Sequence, residues 1–221
     1  MSLQVIYTDA DVIVIDKPAG LLVHPGHGRE GETTLVDLLR LRLGHEPYLV
    51  HRLDRDTSGV MIVAKTNGAK LYLQRQFAKR HVAKSYTALV KGRPEHAEAV
   101  LDWPIGRHRQ NPLKRAVVGT GKPAQSHYKV VQVYKCDKVR PCHYSLVEVK
   151  PETGRTHQIR VHLAHLGHPI IGDALYGVPE PRLGRQFLHA SSLHLQLPSG
   201  HSQTFQSRLP IQLQRFLDQL E

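Results

Sequence analysis

His51-Arg52-Leu53-Asp54-Arg55-Asp56-Thr57-Ser58-Gly59 runs directly into the apolar Val60-Met61-Ile62-Val63-Ala64. A charged turn feeding a short apolar run reads as a loop leading into a buried strand. Upstream, Tyr48 to Leu53 also looks extended. On an extended backbone alternate residues share a face, so Arg52 and Asp54 point one way and His51 and Leu53 the other. A carboxylate and a guanidinium then stand side by side next to a strand that can hold them rigidly. A surface ion pair on a turn is the plainer alternative. Against it stands a second basic cluster, Gly154-Arg155-Thr156-His157-Gln158-Ile159-Arg160, on a turn and helix N-terminus, where anionic groups bind well.

Working outward, Val5 to Tyr7 and Val12 to Ile15 read as two short strands around an acidic turn. Lys17-Pro18-Ala19-Gly20 ends the second, because proline cannot donate to a sheet ladder. Leu35, Leu38, Leu39 and Leu43 are spaced as on a helix, with Thr33 or Thr34 as its cap. Asn67 is the expected cap of a basic helix in which Leu73 and Phe77 share a face. Ser85 to Val90, His127 to Tyr134 and Tyr144 to Val149 read as strands, whereas Gly92 to Lys122 reads as irregular. A helix is expected from about Thr156 to Leu166, stopped by Gly167 and Pro169. Leu193, Leu195 and Leu197 alternate with polar residues, a strand that turns back through Pro198-Ser199-Gly200. Leu213, Phe216, Leu217 and Leu220 mark a final amphipathic helix. Strands mostly follow one another directly, so the expected class is α+β with a largely antiparallel sheet.

The 221 residues can form one sizeable core, and a single domain over residues 1–221 is the expectation. No apolar run approaches the ~20 residues of a membrane span. The start, Met1-Ser2-Leu3-Gln4, has no basic or long apolar segment, so no secretory signal is expected. Cys136 and Cys142 fit no common zinc or redox spacing and read as two reduced thiols in a cytoplasmic protein. Thirty Lys and Arg against nineteen Asp and Glu leave a net charge of +11. That field favours a polyanionic partner, of which nucleic acid is the commonest.

The order of the motifs adds a resemblance. HRLDRDTSG at His51 to Gly59 resembles the signature of the ribosomal large subunit type A (RluA) family of pseudouridine synthases. Asp16 to Leu21 with His24-Pro25 resembles the family's first motif, and Lys84-Ser85-Tyr86 the segment carrying its active-site tyrosine. TGRTHQIRVH at Thr153 to His162 resembles the third motif, and His168 to Asp173 and Leu188-His189-Ala190 also fit. The resemblance implies a central, mainly antiparallel mixed sheet with flanking helices and loops around an RNA-binding cleft. It assigns Asp54 as the catalytic carboxylate, Arg160 as its partner and Tyr86 as the group contacting the base. Lys17, Arg52, Lys84, Lys122, Arg155 and His157 become candidates for RNA contact. Many members begin with a small RNA-binding S4 domain, whereas this chain starts at the catalytic domain. Gly121-Lys122-Pro123-Ala124-Gln125 resembles members without that domain that modify 23S ribosomal RNA and transfer RNA. A cytoplasmic monomer that acts on ribosomal or transfer RNA, away from membranes, is the expected form.

The chemistry agrees with these residue types. Uridine must break its C1′–N1 bond, turn its base and rejoin through C5. A carboxylate can attack C1′ or take a C2′ proton to give a glycal, and either role needs it ionised. Tyr86 is placed to support the uracil or remove the C5 proton. Arg52 is suited to fill the space left by a flipped base. No step calls for a metal or other cofactor, and none is expected.

Rival readings explain less. Gly26 to Gly31 matches G-x-G-x-x-G, yet the preceding strand ends near Ile15 and Lys17-Pro18 breaks the tight strand–turn–helix unit. Asp56-Thr57-Ser58-Gly59 carries an extra Ser relative to the aspartic-protease motif, and no second copy exists. An N-glycosidase using Asp54 shares the opening attack, but it wants a second carboxylate as acid. His157 with His162, and His165 with His168, lack the H-E-x-x-H pattern of a zinc site. A non-catalytic RNA-binding protein explains the charge but not the Asp54 and Arg160 motifs.

Overall fold

A computed structural model describes residues 3–25, 31–135, 143–177 and 179–220. The two cysteines and most of the Gly26 to Gly31 motif lie outside the described residues. In chain order the elements are β1 (Gln4–Thr8), β2 (Val12–Lys17), α1 (Leu35–Leu43), β3 (Tyr48–Leu49), β4 (Ser58–Ala64), α2 (Asn67–Ala78), β5 (Ala83–Lys91) and β6 (Glu98–Asp102). They continue with β7 (Ile105–Arg107), β8 (Arg115–Val117), β9 (Gln125–Lys135), β10 (His143–Pro151), α3 (Gln158–His165), β11 (Leu188–Gln196), β12 (Ser202–Gln206) and α4 (Ile211–Leu217). The chain is α+β, as expected. It gathers into two compact units, one of Met1–Lys84 with Ala190–Arg208, the other of Ser85–His189 with Leu209–Glu221.

The first unit is built on the strand order β1-β2-β4-β11, with β12 on β11 and β3 on β4. β4 is buried at every position and is flanked on both edges, which is why its sequence is a continuous apolar run rather than an alternation. β2 lies antiparallel to it, from Val12 opposite Ala64 to Lys17 opposite Gly59. Asp9 makes the β1–β2 turn by accepting the Asp11 and Val12 amides at 2.8 and 2.7 Å. α1 is fixed at both ends. Thr34 and Asp37 form a capping box, and Gly44 closes the helix in the left-handed region at φ 75°.

The second unit has the order β5-β10-β9-β6 and a separate β7–β8 hairpin. β10 pairs antiparallel with β5 and β9, and β6 antiparallel with β9. Leu89, Val147, Leu163, Phe187 and Leu213 are among its fully buried core residues. A satellite cluster of Ile105, Ala124 and Val161, with Val117 and Tyr176 against it, joins the hairpin to α3.

Four expectations need correcting. Thr66, not Asn67, caps α2, because its extended backbone lets Oγ1 accept the Ala69 amide at 3.1 Å, three residues on. The Tyr48 to Leu53 strand pairs only at Tyr48 and Leu49, after which the chain leaves the sheet. The region from Gly92 to Lys122 holds β6, β7 and β8. α3 starts at Gln158, since His157 takes a left-handed conformation at φ 58°.

Candidate active site

In the first unit the Asp54 loop is clasped to the loop after β2. Gly20 donates its amide to the Arg55 carbonyl at 3.0 Å, and Arg55 Nε returns a bond to the Gly20 carbonyl at 3.0 Å. Lys17 lies beneath, fully buried. Its ammonium donates to the carbonyls of Pro18, Leu21 and Arg55 at 2.8, 2.9 and 2.9 Å. An ammonium has three N–H donors, and each of them faces a carbonyl. The expectation of Lys17 as an RNA contact is therefore corrected: with no exposed surface, it belongs to the scaffold under the loop.

Asp54 itself is half-buried. Its carbonyl accepts the Thr57 amide at 3.1 Å, which closes a tight turn. Thr57 and Ser58 are buried behind it. Gly59 follows at φ 118°, where a Cβ would strike the Ala190 backbone, so only glycine lets the loop enter β4. No ladder continues here, yet the residues differ in burial. Leu53 is 4% exposed while Arg52 is exposed, with its Nη1 2.9 Å from His24 Nε2.

His51 turns inward. Its Nε2 accepts the Ile62 amide of β4 at 3.1 Å and its ring stacks on Phe77, centroids 4.8 Å apart. Burial first, and the nearby Lys84 ammonium second, push its pKa down to about 3. The geometry agrees, since a nitrogen that accepts an N–H carries no proton. His51 is thus a neutral strut beside the Asp54 loop.

In the second unit the third motif forms a rack around Arg160. Gln158 bolts the start of α3 to β9, its Nε2 donating to the Gln125 carbonyl at 2.8 Å and Ser126 Oγ at 2.9 Å. Its Oε1 accepts from the Thr153 hydroxyl at 2.7 Å and from the Arg155 amide at 2.9 Å. The reading of this turn as an anion-binding helix N-terminus is corrected to that extent, because the Arg155 amide is already taken. Arg160 is 7% exposed and makes a bidentate bond to Asp173, Nε to Oδ2 at 2.7 Å and Nη2 to Oδ1 at 2.8 Å. Asp173 also accepts the Leu175 and Tyr176 amides at 3.0 and 3.1 Å. The Arg160 guanidinium lies 5.1 Å from the Tyr176 ring centroid. Five N–H donors belong to a guanidinium and Asp173 takes two.

The remaining candidates of this unit are placed as follows. Arg155 Nε reaches the Pro123 carbonyl at 3.0 Å, next to the exposed Lys122. His157 Nδ1 meets the Tyr176 hydroxyl at 2.8 Å. Tyr86 is half-buried on β5, opposite Val149 of β10. The histidines weighed as metal ligands have other partners: His162 bonds Ser126 Oγ and the Trp103 carbonyl, and His168 the Lys91 carbonyl. Among the described residues no group of His, Cys, Asp or Glu is arranged to hold a metal, and no helix is long and apolar enough to cross a membrane.

Sequence reasoning missed the roles of Asp173 and Tyr176. One signal pointed to Asp173, for it is the sole carboxylate residue between Glu152 and Glu180 in a stretch rich in Arg and His.

The chain is similar to known proteins. The family model described as RNA pseudouridylate synthase matches residues 11–165. The chain is 45% identical to "Ribosomal large subunit pseudouridine synthase D" of Nitrosomonas europaea, over 94% of this chain and 62% of that protein. It thus spans less than two thirds of that relative's length. It is 41% identical to "Dual-specificity RNA pseudouridine synthase RluA" of Escherichia coli, over 93% of this chain and 92% of that one. The solved structure of "Human RNA Pseudouridylate Synthase Domain Containing 1" superposes with a TM-score of 0.79 at 29% identity, over 94% of this chain and 83% of the other. With matching motifs, fold and relatives in hand, the chain belongs to the RNA pseudouridylate synthase family.

Proposed function

We propose that this chain isomerises uridine to pseudouridine in RNA, with Asp54 as the catalytic carboxylate. The observation that carries the reading is the frame around Asp54, a half-buried carboxylate on a turn fixed by Lys17, Gly20 and Arg55. Such a frame pre-organises one reacting group, which is how positioning lowers a barrier. The Asp54 carboxylate attacks C1′ or removes a C2′ proton, and the C1′–N1 bond breaks. The uracil turns and C5 bonds to C1′ as the Asp54–C1′ bond breaks, or as C2′ regains its proton from Asp54; the C5 proton leaves and N1 ends protonated, so no atom is gained or lost overall. Tyr86 supports the uracil and accepts the C5 proton. Arg160, the partner of Asp54 in this reading, stabilises charge at the reacting uridine, and Arg52 fills the space the base vacates. Lys84, Lys122, Arg155 and His157 contact the RNA backbone.

Residues 1–221 are read as a single catalytic domain. The substrate is ribosomal RNA, transfer RNA or both, a range supported by the names of the relatives from Nitrosomonas europaea and Escherichia coli. A cytoplasmic monomer suits such substrates. The test is release of tritium from RNA carrying C5-tritiated uridine, with chromatography of the digested product. Pseudouridine appearing in step with tritium release, with EDTA present, is the expected result. Free uracil and abasic RNA would instead identify an N-glycosidase, and binding with no product a non-catalytic RNA-binding protein.

A further inference from the structure

Tyr176 touches three parts of the second unit at once. Its hydroxyl accepts the Arg115 backbone N–H of β8 at 2.7 Å and meets His157 Nδ1 at 2.8 Å. Its ring lies 5.1 Å from the Arg160 guanidinium carbon. Its own amide donates to Asp173 Oδ1, the oxygen that also takes Arg160 Nη2. A bidentate carboxylate fixes the edge of a guanidinium in its plane but leaves rocking out of that plane. An aromatic face against the cation opposes the rocking, and burial strengthens that attraction.

The hydroxyl makes a separate connection. A phenol offers one donor and two acceptor lone pairs. One oxygen thus serves both the Arg115 amide of β8 and His157 Nδ1. His157 sits at φ 58° with no side-chain cap bond to α3, a conformation disfavoured for a residue with a Cβ. The Tyr176 bond helps hold it there, three residues before Arg160. At the other end is the β7–β8 hairpin, with Arg107 opposite Arg115. The sequence from Trp103 to Cys136 contains no Asp or Glu, so the hairpin carries basic residues and no acidic residue of its own.

We propose that Tyr176 is a positioning residue with two separable parts: its ring sets the plane of Arg160, and its hydroxyl latches the basic β7–β8 hairpin to the turn before α3. The proposal rests on the reading of the chain as a pseudouridine synthase that uses Arg160 at the reacting uridine. The hairpin contacts RNA phosphates, so the latch governs binding while the ring governs the chemical step.

The test compares Tyr176→Phe and Tyr176→Leu in single-turnover tritium release over a range of RNA concentrations. Circular dichroism and hydrogen exchange are followed on the same proteins. Tyr176→Phe keeps the ring, so its saturating rate should stay near the parent's, while half-saturation rises about 5-fold for the lost hydrogen bonds. Tyr176→Leu should show that same rise and also lose about 10²-fold in saturating rate, the scale of a misplaced reacting group. The Arg115 amide should exchange faster in both variants. A purely structural role predicts that rate, affinity and thermal midpoint decline together without rescue by Phe, and that outcome overturns the proposal. So does an unchanged Arg115 amide. If the parent releases no tritium from any RNA, the enzyme reading fails. If the parent is active and the variants show no split, the role of Tyr176 alone fails.

Discussion

The Asp54 loop and the Arg160 rack are held by opposite chemistry. Beneath Asp54 a buried cation, Lys17, gathers three backbone carbonyls. Beside Arg160 a buried anion, Asp173, gathers a guanidinium and two backbone amides. In both places a fully buried charge fixes a residue of the proposed site. The two differ in what remains when the holding charge is removed. Without Lys17 the groups that lose a donor are neutral carbonyls; those of Pro18 and Arg55 belong to residues that are not buried, and the Arg55 carbonyl keeps the Gly20 amide. Without Asp173 the group that loses its carboxylate is a cation with 9% of its side chain exposed. Orphaning a buried charge costs more than orphaning neutral acceptors that water can reach.

That difference sets the size of the expected effects. Asp173→Ala should cost about 3–5 kcal/mol of unfolding free energy, the range for stranding one partner of a buried ion pair. Asp173→Asn, which keeps one acceptor oxygen, should lose less. Lys17→Met should cost about 2–3 kcal/mol, mainly for the hydrogen bonds lost by the Pro18, Leu21 and Arg55 carbonyls. Urea titration of each variant measures both values. Equal losses at the two sites would break the comparison, and a larger loss for Lys17→Met would invert it.

A smaller effect concerns protonation in the first unit. The folded pKa of His51 is depressed to about 3 from 6.5, first by burial and then by Lys84. The folded state therefore binds fewer protons than the unfolded chain, and stability falls as pH drops. The His51 contribution is fully present above pH 6.5 and is lost progressively as pH falls toward about 3. His162, buried in the second unit, is lowered for the same leading reason and acts in the same direction. His51→Gln, which keeps an acceptor for the Ile62 amide, should flatten part of the acid slope. Parallel stability curves for parent and variant across that range would show that His51 is not held neutral.

The sequence was most legible where the causes are local. Thr34, one of the two threonines expected to cap α1, lies three residues from the Asp37 amide it accepts. β4 announces itself as an apolar run because it is buried on both faces. β6 was illegible because its partner lies far along the chain, Glu98 opposite Lys129, and a five-residue segment has little periodicity of its own. Asp54 was singled out through its motif and is the residue the proposed function rests on. Lys17 read as an RNA contact because a lysine ordinarily faces water. Its burial depends on carbonyls brought from positions 18, 21 and 55, which no local pattern displays. Tyr176 was hidden for the same reason, since its three partners come from β8, the turn before α3 and α3 itself.

Single-turnover isomerisation by Asp54→Asn tests the central claim most directly. Asn keeps the size of the side chain but can neither attack C1′ nor remove a C2′ proton. The fold, followed by circular dichroism, and the affinity for RNA should survive, because Lys17 and the surrounding clasp are untouched and many basic groups share the binding. Tritium release and pseudouridine formation should fall to the background of the reaction without enzyme. A folded Asp54→Asn protein that makes pseudouridine at a rate near the parent's would contradict the assignment and place the chemistry elsewhere in the chain.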